Sequence, residues 1–419
     1  MARNDIEAQI NNSLNREVKL HGKIELNVNK SGSFTVGKLC VKGIIGVTRP
    51  NVVIDGSDAE IDVQISDCTT SDWSLFFVHP QARNVTFRNL DIKINIKNPA
   101  HSGRTFSAIY NTSYGLHVEN CNIEIASDKQ LNLVGVFNNG NLDTHMDTRA
   151  DAFTMANSSV RVQCIAEEYE KECATYGIYN RLANSISVMN NFIYAVNKGD
   201  GERQKAVGIY TDGRFGRFIG NNIKANGTHN KGFEIEQASA FGFINEGLYS
   251  IIQANNIIAE WAGKCIGLEN KGEYSIIESN KILATHTICG RSVRNFANKC
   301  NILGNVLTST SRNARLIEHN ADSCVISKNI MEVLMVPSEC QSGCGIYAVG
   351  ENCANNIITE NIIRCVLDCG IFAARTAGTV QNNNIVSYAE TVAQTSDDNK
   401  YMLDRLDEKY IHSVHLTEE

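Results

Sequence analysis

The chain contains little proline and no segment that would separate domains. Only 4 of its 419 residues are proline, against 31 glycines, and no proline-rich or low-complexity linker interrupts it. With 42% hydrophobic residues, this composition excludes a disordered chain and is typical of a β protein with many turns. We therefore expect one elongated domain with a large core.

The chain also lacks a basic surplus and a long apolar segment. Its 39 Lys and Arg against 46 Asp and Glu give a net charge of -7, which disfavours nucleic acid and anionic membranes as partners. The N-terminus, MARNDIEAQI, has no hydrophobic signal-peptide region, and there is no uninterrupted run of 18 apolar residues. We expect a cytoplasmic protein that binds neither nucleic acid nor membrane.

Zinc-type cysteine spacing is absent, although the chain has 14 cysteines. There is no CxxC, and the CxxxC pairs Cys340/Cys344 and Cys365/Cys369 lack a histidine at zinc-ligand spacing. In a large chain without an export signal, we expect reduced thiols that pack as small apolar side chains. We interpret the acidic segment 141–152 as a solvated loop, and we expect neither a metal nor another cofactor.

What the sequence does contain is a short repeat: apolar-x-apolar, one or two polar residues, an anchor residue, then two apolar residues. Successive anchors lie 23 to 35 residues apart. Each repeat alternates with period 2 over a few residues and is not followed by a helical pattern, so its strands are stable only when stacked. This predicts an all-β fold, a single-domain right-handed parallel β-helix solenoid over residues 23–388. The anchors are Gly56, Asn89, Asn122, Asn157, Asn191, Asn222, Asn256, Asn280, Asn305, Asn329, Asn361 and Asn384.

The two ends depart from the repeat. Asp5 is a suitable N-cap, and Ile6, Ile10 and Leu14 form an apolar stripe, which predicts a capping helix followed by the first strand within residues 1–22. Residues 389–419 lose the repeat, and we expect them to form a C-terminal cap or tail.

The Asn-anchored coils, the N-terminal helix and the strand VKLHGKIEL resemble the pectate-lyase-like right-handed β-helix superfamily. The C-terminal half is similar to inulin fructotransferases and difructose dianhydride hydrolases, which are trimeric β-helix enzymes that act on fructans. The stretches that carry this resemblance are NNIIAEWAGKCIGLEN at 255–270, ARLIEHNADSCVISKNI at 314–330 and GIYAVGENCANNIITENII at 345–363.

The resemblance implies a carbohydrate substrate and a homotrimer. In that family a catalytic Asp lies beside the anchor, and a catalytic Glu lies on the following strand. The matching positions here hold Asn221 or Asn255 in place of the Asp, and Glu234 or Glu269 as the Glu.

Residues at a fixed offset before each anchor predict one outward-facing column. An aliphatic residue at that offset should point inward, so the residue after it points outward. Aromatic rings pack on the C–H faces of sugars, and charged groups bind their hydroxyls, so this column predicts an extended glycan site. The column reads Tyr110, Phe137, Tyr179, Tyr210, Glu236, Glu269, Arg294, Glu318, Tyr347 and Phe372.

The candidate catalytic groups are carboxylates. Adjacent coils would place Glu236 and Glu269 about 5 Å apart at the backbone, near the carboxyl separation of retaining glycosidases, and would raise one pKa. Glu234 and Glu318 are further candidates. An ordinary solvated ladder of charges is the competing interpretation. The candidate substrate-binding residues are Tyr110, Tyr179, Tyr210, Asp212, Trp261 and Arg294.

These features leave three functions open. The first is a glycoside hydrolase or fructotransferase-like enzyme that acts on an oligosaccharide or a cyclic dianhydride. The second is a polysaccharide lyase or epimerase, which needs a base and a means of neutralising a uronate carboxylate, and which an acidic patch disfavours. The third is a non-enzymatic, trimeric, glycan-binding tailspike or adhesin shaft.

Overall fold

The computed structural model comprises two compact units, Met1–Lys231 (unit 1) and Gly232–Glu419 (unit 2). The proposed C-terminal cap at 389–419 lies outside the described residues, and the proposed domain boundaries stay a prediction. The structure describes residues 3–13, 16–28, 32–36, 39–66, 72–97, 105–128, 131–140, 150–165, 173–198, 204–227, 238–285, 287–334, 342–349, 353–366, 369–374 and 379–388.

The N-terminal helix α1 spans Arg3–Asn12 and packs against the first strands of unit 1. Ile6 and Ile10 are fully buried, so the predicted helix with its apolar face is confirmed. Asp5 lies in the first turn and not at the N-cap, because the helix already includes Arg3; there the carboxylate faces the positive end of the helix dipole. Leu14 lies outside the described residues.

Strands β1–β37, numbered in chain order, form two kinds of sheet in each unit. Most coils give two short strands to sheet A and one strand to sheet B. In unit 1, sheet A contains β1 (Glu17–Val28), β4 (Val53–Ser66), β6 (Thr86–Arg88), β7 (Asp91–Lys97), β9 (His117–Glu119), β10 (Asn122–Ser127), β12 (Thr154–Ala156), β13 (Ser159–Cys164), β15 (Ser187–Met189), β16 (Phe192–Asn197), β18 (Arg217–Ile219) and β19 (Asn222–Asn226). Its sheet B contains β2 (Gly32–Val36), β3 (Leu39–Val47), β5 (Trp73–Val78), β8 (Thr105–Asn111), β11 (Asn132–Asn139), β14 (Ala174–Arg181) and β17 (Lys205–Thr211).

Unit 2 repeats this arrangement. Its sheet A contains β21 (Ile251–Gln253), β22 (Asn256–Glu260), β24 (Ile276–Glu278), β25 (Lys281–Thr285), β27 (Asn301–Leu303), β28 (Val306–Ser309), β30 (Val325–Ser327), β31 (Ile330–Val333), β33 (Ile357–Thr359), β34 (Ile362–Val366), β36 (Val380–Asn382) and β37 (Ile385–Tyr388). Its sheet B contains β20 (Ser239–Asn245), β23 (Lys264–Asn270), β26 (Cys289–Asn295), β29 (Asn313–His319), β32 (Ser342–Val349) and β35 (Cys369–Ala374).

Within each unit the described strands pair in parallel with the equivalent strands of neighbouring coils, except for the antiparallel hairpin β2–β3. The predicted right-handed parallel β-helix is confirmed. The aliphatic residues predicted to point inward, such as Ile178 in unit 1 and Leu268 in unit 2, are fully buried. Among the described residues, no helix is long and apolar enough to span a bilayer.

The repeated Asn forms a hydrogen-bonded ladder along sheet A. In unit 2, Asn255 Nδ2 donates to Asn280 Oδ1 at 3.0 Å, and the same bond recurs on each following coil down to Asn384. In unit 1, Asn191 Nδ2 donates to Asn221 Oδ1 at 3.0 Å. The predicted anchors Asn222 and Asn256 were therefore one residue too late, since each is the second residue of an Asn-Asn pair.

The residue that bends the backbone and the residue whose side chain joins the ladder are consecutive in the sequence. The residue before each ladder position has a positive φ, for example 56° at Asn190 and 55° at Ala254. In earlier coils of unit 1 other residue types continue the ladder: Cys121 N donates to Ser158 Oγ at 3.0 Å, and Ser158 N donates to Asn191 Oδ1 at 2.9 Å.

A second Asn ladder, not predicted from the sequence, follows the ends of the sheet B strands. In unit 2, Asn245 Nδ2 donates to Asn270 Oδ1 at 2.6 Å, and Asn270 Nδ2 donates to Asn295 Oδ1 at 2.7 Å. His319 continues it, with Nδ1 3.2 Å from Asn295 Nδ2 and Nε2 3.2 Å from Asn356 Oδ1. The imidazole is buried, and a neutral ring with its proton on Nε2 satisfies both contacts.

We expect His319 to make the stability of the protein depend on pH. Burial lowers the pKa of His319, so the folded state favours the neutral ring, while the unfolded chain binds a proton near pH 6.5. The free energy of unfolding should therefore fall as the pH drops below about 6.5. Between pH 7.5 and 5.5, the free energy of unfolding of His319→Asn should fall by about 1 kcal/mol less than that of the wild type. Denaturant titrations at the two pH values measure the difference. The exposed His21→Asn is the control, and an equal loss in His319→Asn and the wild type would contradict the prediction.

Candidate functional site

Sheet B of unit 1 carries a column of aromatic rings. Phe77, Tyr110, Phe137, Tyr179 and Tyr210 pair in register on successive coils. Neighbouring ring centroids lie 4.8 to 5.7 Å apart. The predicted order of the last four residues is confirmed, and Phe77 extends the column by one coil beyond the predicted start at Tyr110.

The first half of this aromatic column is packed inside the protein. Phe77, Tyr110 and Phe137 are buried, and the Tyr110 hydroxyl accepts a hydrogen bond from Asn139 Nδ2 at 2.6 Å. Burial raises the pKa of Tyr110 to about 12. The contacts of Tyr110 do not support a ligand-binding role, because its ring and hydroxyl both have partners within the protein. Tyr179 and Tyr210 are partly exposed.

Two other predicted ligand-binding residues lie at turns. Asp212 directly follows β17, and its Oδ1 accepts the backbone N–H of Leu182, so it holds the turn of the neighbouring coil. Trp261 directly follows β22 in unit 2, has a φ of 57° and is 38% exposed. Asp212 thus has a structural role, while the Trp261 ring has an accessible surface.

Sheet B of unit 2 carries the charged column. Ile244, Glu269, Arg294, Glu318, Tyr347 and Phe372 pair in register on successive coils. The predicted series from Glu269 to Phe372 is confirmed.

The predicted pairing of Glu236 with Glu269 is wrong. The neighbour of β23 in sheet B is β20, which begins only at Ser239, so Ile244 occupies the position assigned to Glu236. The repeat could not reveal how many residues connect these coils, and the register was misplaced by eight residues. Glu236 and Glu234 themselves lie outside the described residues.

Glu269 is a buried carboxylate with two cationic partners. Its side chain is 7% exposed, Oε1 lies 2.9 Å from Lys271 Nζ, and Oε2 lies 3.2 Å from Arg294 Nη1. Lys271 also contacts Glu246 at 2.8 Å. Arg294 therefore connects Glu269 with Glu318 on the next coil.

Three guanidinium groups surround Glu318. Oε1 lies 3.1 Å from Arg294 Nε, while Oε2 lies 2.5 Å from Arg291 Nε and 3.2 Å from Arg315 Nη1. Burial would raise the pKa of Glu318, but the arginines outweigh it and the pKa falls below its usual value. Arg294, together with Arg291 and Arg315, thus keeps Glu318 ionised. Glu318, a further candidate carboxylate, is therefore ill suited to the role of general acid.

Arg291 and Arg315 belong to a second column that the sequence analysis missed. They pair with each other in register, next to Ile266 and Cys344 on the adjoining coils. Arg291 also donates from Nη1 to the carbonyls of Gly290 and Asn313, at 3.0 and 2.9 Å. Both arginines stand three residues before a member of the charged column, so the same offset analysis, applied at that position, could have found them.

The aromatic end of the charged column is ordered by stacking. Tyr347 and Phe372 stack with centroids 5.2 Å apart and an interplanar angle of 16°. The Arg315 guanidinium lies 3.8 Å from the centroid of the Tyr347 ring, and that of Arg294 lies 4.5 Å from the centroid of Phe296. Each of these guanidinium groups therefore lies over the face of an aromatic ring.

Lys264 is a further cation of this region that the sequence analysis did not select. It begins β23 and is partly buried, and its ammonium group makes neither a hydrogen bond nor an ion pair with the described side chains. Burial and the charge of Arg294 lower the pKa of Lys264.

The described side chains around Glu269 and Glu318 carry a surplus of positive charge. Five are cationic and three anionic, an excess of two positive charges, so the described part of the site is not the expected acidic patch; Glu234 and Glu236, which belonged to that expectation, lie outside the described residues. The cations are Lys264, Lys271, Arg291, Arg294 and Arg315, and the anions are Glu246, Glu269 and Glu318.

The described residues offer no group of three His, Cys, Asp or Glu side chains able to hold a metal ion. Most of the acidic segment 141–152 lies outside them. The cysteines characterised in the described segments are free thiols, and all except Cys289 are buried.

No protein-family model matches the chain, and no curated protein is similar to it in sequence. Several solved structures are similar in fold. The A-module of mannuronan C-5 epimerase AlgE6 from Azotobacter vinelandii is 14% identical, with a TM-score of 0.48, over 88% of this chain and 89% of that one. A mutant DFA-IIIase from Arthrobacter chlorophenolicus in complex with DFA-III is 11% identical, with a TM-score of 0.40, over 90% and 93%. PfbA, a surface adhesin of Streptococcus pneumoniae, is 9% identical, with a TM-score of 0.37, over 93% and 89%. At this level of similarity these proteins indicate no activity for the chain.

Proposed function

We propose that the protein is a carbohydrate-active enzyme whose site is the charged column of unit 2. The observation that carries the proposal is the surplus of cations around ionised Glu318, next to the stacked rings of Tyr347 and Phe372. Aromatic faces pack against the C–H faces of a sugar, and guanidinium groups bind its oxygens. Such a combination suits an extended saccharide.

The same surplus favours an acidic saccharide. Arginine binds carboxylates through paired, charge-assisted hydrogen bonds, and partly buried positive charge is stabilised by an incoming anion. Arg294 and Arg315 are 24% and 29% exposed at their side chains, so each has surface left for a ligand.

The reaction class that suits this arrangement is a lyase or an epimerase. When arginine pairs with a uronate carboxylate, the carbon next to that carboxylate becomes more acidic, and a base can remove its proton. Lys264 is the candidate base, because its lowered pKa increases the fraction of Lys264 that is a neutral amine. The resulting carbanion either expels the glycosidic oxygen, as in a lyase, or regains a proton on the other face, as in an epimerase.

A hydrolase or fructotransferase-like reaction is the second candidate. Buried Glu269 favours it, since this carboxylate lies in the stretch 255–270 that resembles the fructan enzymes. Glu318 lies two coils away, about 10 Å along the axis, which is nearer the spacing of inverting enzymes. The lowered pKa of Glu318 makes it a poor general acid, so this candidate ranks second.

A substrate panel with separate readouts tests the proposal. The purified chain is incubated with uronate oligosaccharides, fructans and cyclic dianhydrides. Ultraviolet absorbance reports 4,5-unsaturated products, NMR reports epimerised residues, and released sugar reports hydrolysis. We expect an unsaturated or epimerised uronate product. Turnover of neutral fructans alone would replace this reaction class with the second candidate, and saccharide binding without any turnover would indicate a binding protein.

A further inference from the structure

Sheet A of unit 2 presents aliphatic side chains to solvent on its last coils. Val306, Ile330, Ile362 and Ile385 pair in register along one column. A second column pairs Val325, Ile357 and Val380. Six aliphatic residues here are 39 to 53% exposed: Val306, Ile330, Leu334, Ile357, Val380 and Ile385. We name these two columns, with Leu334, the aliphatic face.

The fold itself does not require such a face. The equivalent column on sheet A of unit 1 reads Asp91, Asn122, Ser159, Phe192 and Asn222, and is mostly polar. Singly exposed apolar residues are common, whereas contiguous apolar patches on a monomer usually mark an interaction site.

Charges of both signs border the aliphatic face. Glu332 pairs in register with Arg364 on the next coil, and Lys328 Nζ lies 3.6 Å from Glu360 Oε2. A surface that contains both signs can meet a copy of itself with opposite charges in contact, as a symmetric interface requires. A strongly acidic or strongly basic partner would lack this complementarity.

We infer that the aliphatic face is the contact through which copies of this chain assemble. The aliphatic columns of two copies bury each other, and the border charges pair across the contact. This inference concerns the surface of sheet A and is independent of the proposed function.

The test measures the size and dissociation constant of the full chain in solution. Light scattering coupled to size exclusion and sedimentation velocity are applied to the wild type, Ile330→Glu and Ile357→Glu. We expect an assembled wild type, and a dissociation constant more than about 100-fold larger in each variant, because a buried unpaired carboxylate opposes association. Phe192→Glu is the matched control: Phe192 is 38% exposed on sheet A of unit 1, and its variant should assemble like the wild type. Unchanged melting temperatures and the milder Ile330→Thr separate dissociation from misfolding.

Two results would overturn the inference. The first is a monomeric wild type at all concentrations. In that case, binding of a hydrophobic dye that appears only after deletion of residues 389–419 would make that segment the occupant of the face. The second is assembly that both glutamate variants leave unchanged.

Discussion

Arg294→Ala is expected to lower kcat/KM on the chain's saccharide substrate by about 100- to 1000-fold, since one preorganised charge-stabilising donor typically contributes that much. Arg294 is the one described side chain that contacts both Glu269 and Glu318. Its loss removes a partner for the substrate carboxylate and leaves Glu269 without its neighbour on the next coil. The effect should appear in both KM and kcat, because Arg294 binds the carboxylate in the ground state and stabilises the further charge that develops on it during the reaction.

The control for Arg294→Ala is Arg88→Ala in unit 1. Arg88 also bridges two carboxylates, with Nη2 2.9 Å from Asp55 Oδ2 and 3.2 Å from Glu17 Oε1. Arg88 belongs to sheet A of unit 1, whereas the charged column belongs to sheet B of unit 2, so the Arg88 variant should retain nearly full activity even where its stability falls. Equal losses in the two variants would mean that Arg294 acts only through stability, and an unchanged kcat/KM in Arg294→Ala would exclude it from the site.

Asn305→Ala is expected to destabilise the protein by about 3 to 5 kcal/mol, because it leaves several buried polar groups without partners. Asn305 Oδ1 accepts from both the backbone N and the Nδ2 of Asn280, and its Nδ2 donates to Ile277 O and to Asn329 Oδ1, all at 2.9 to 3.0 Å. Alanine can form none of these four bonds. Denaturant unfolding followed by circular dichroism measures the loss.

Asn301→Ala is the matched control for the ladder. Asn301 begins β27 on the same coil but lies on the partly exposed surface of sheet A. Its replacement should change the free energy of unfolding by less than about 0.5 kcal/mol. Similar losses in Asn301→Ala and Asn305→Ala would contradict the ladder as a main source of stability.

The repeat predicted the fold because stacking imposes one constraint on every coil. A residue at a fixed offset from the ladder must always point the same way, so the repeat alone aligns Glu269, Arg294 and Glu318 in one column. The alignment failed at Glu236, where the connection to the next strand has its own length and no repeat signal reports it. It also slipped by one residue at Asn256, since either Asn of an Asn-Asn pair satisfies the same pattern.

Burial within the site could not be predicted from the offsets, and the charge balance could not be predicted from one column alone. Alternation gives the direction of a side chain, but not whether neighbouring rings bury it, as they do at Tyr110. A single column also cannot reveal an adjacent one. The expected acidic character of the column is reversed by Arg291 and Arg315, which lie beside Glu318.

The most direct test of the central claim compares the binding of one saccharide in two charge states. Calorimetric titration uses a uronate oligosaccharide and its carboxyl-reduced counterpart of the same length, at low and moderate salt. If the charged column binds an acidic saccharide, the uronate should bind at least about 10-fold more tightly, and added salt should weaken its binding more than that of the neutral form. Equal affinities, or tighter binding of the neutral saccharide, would contradict the proposal that the positive surplus around Glu318 selects the ligand.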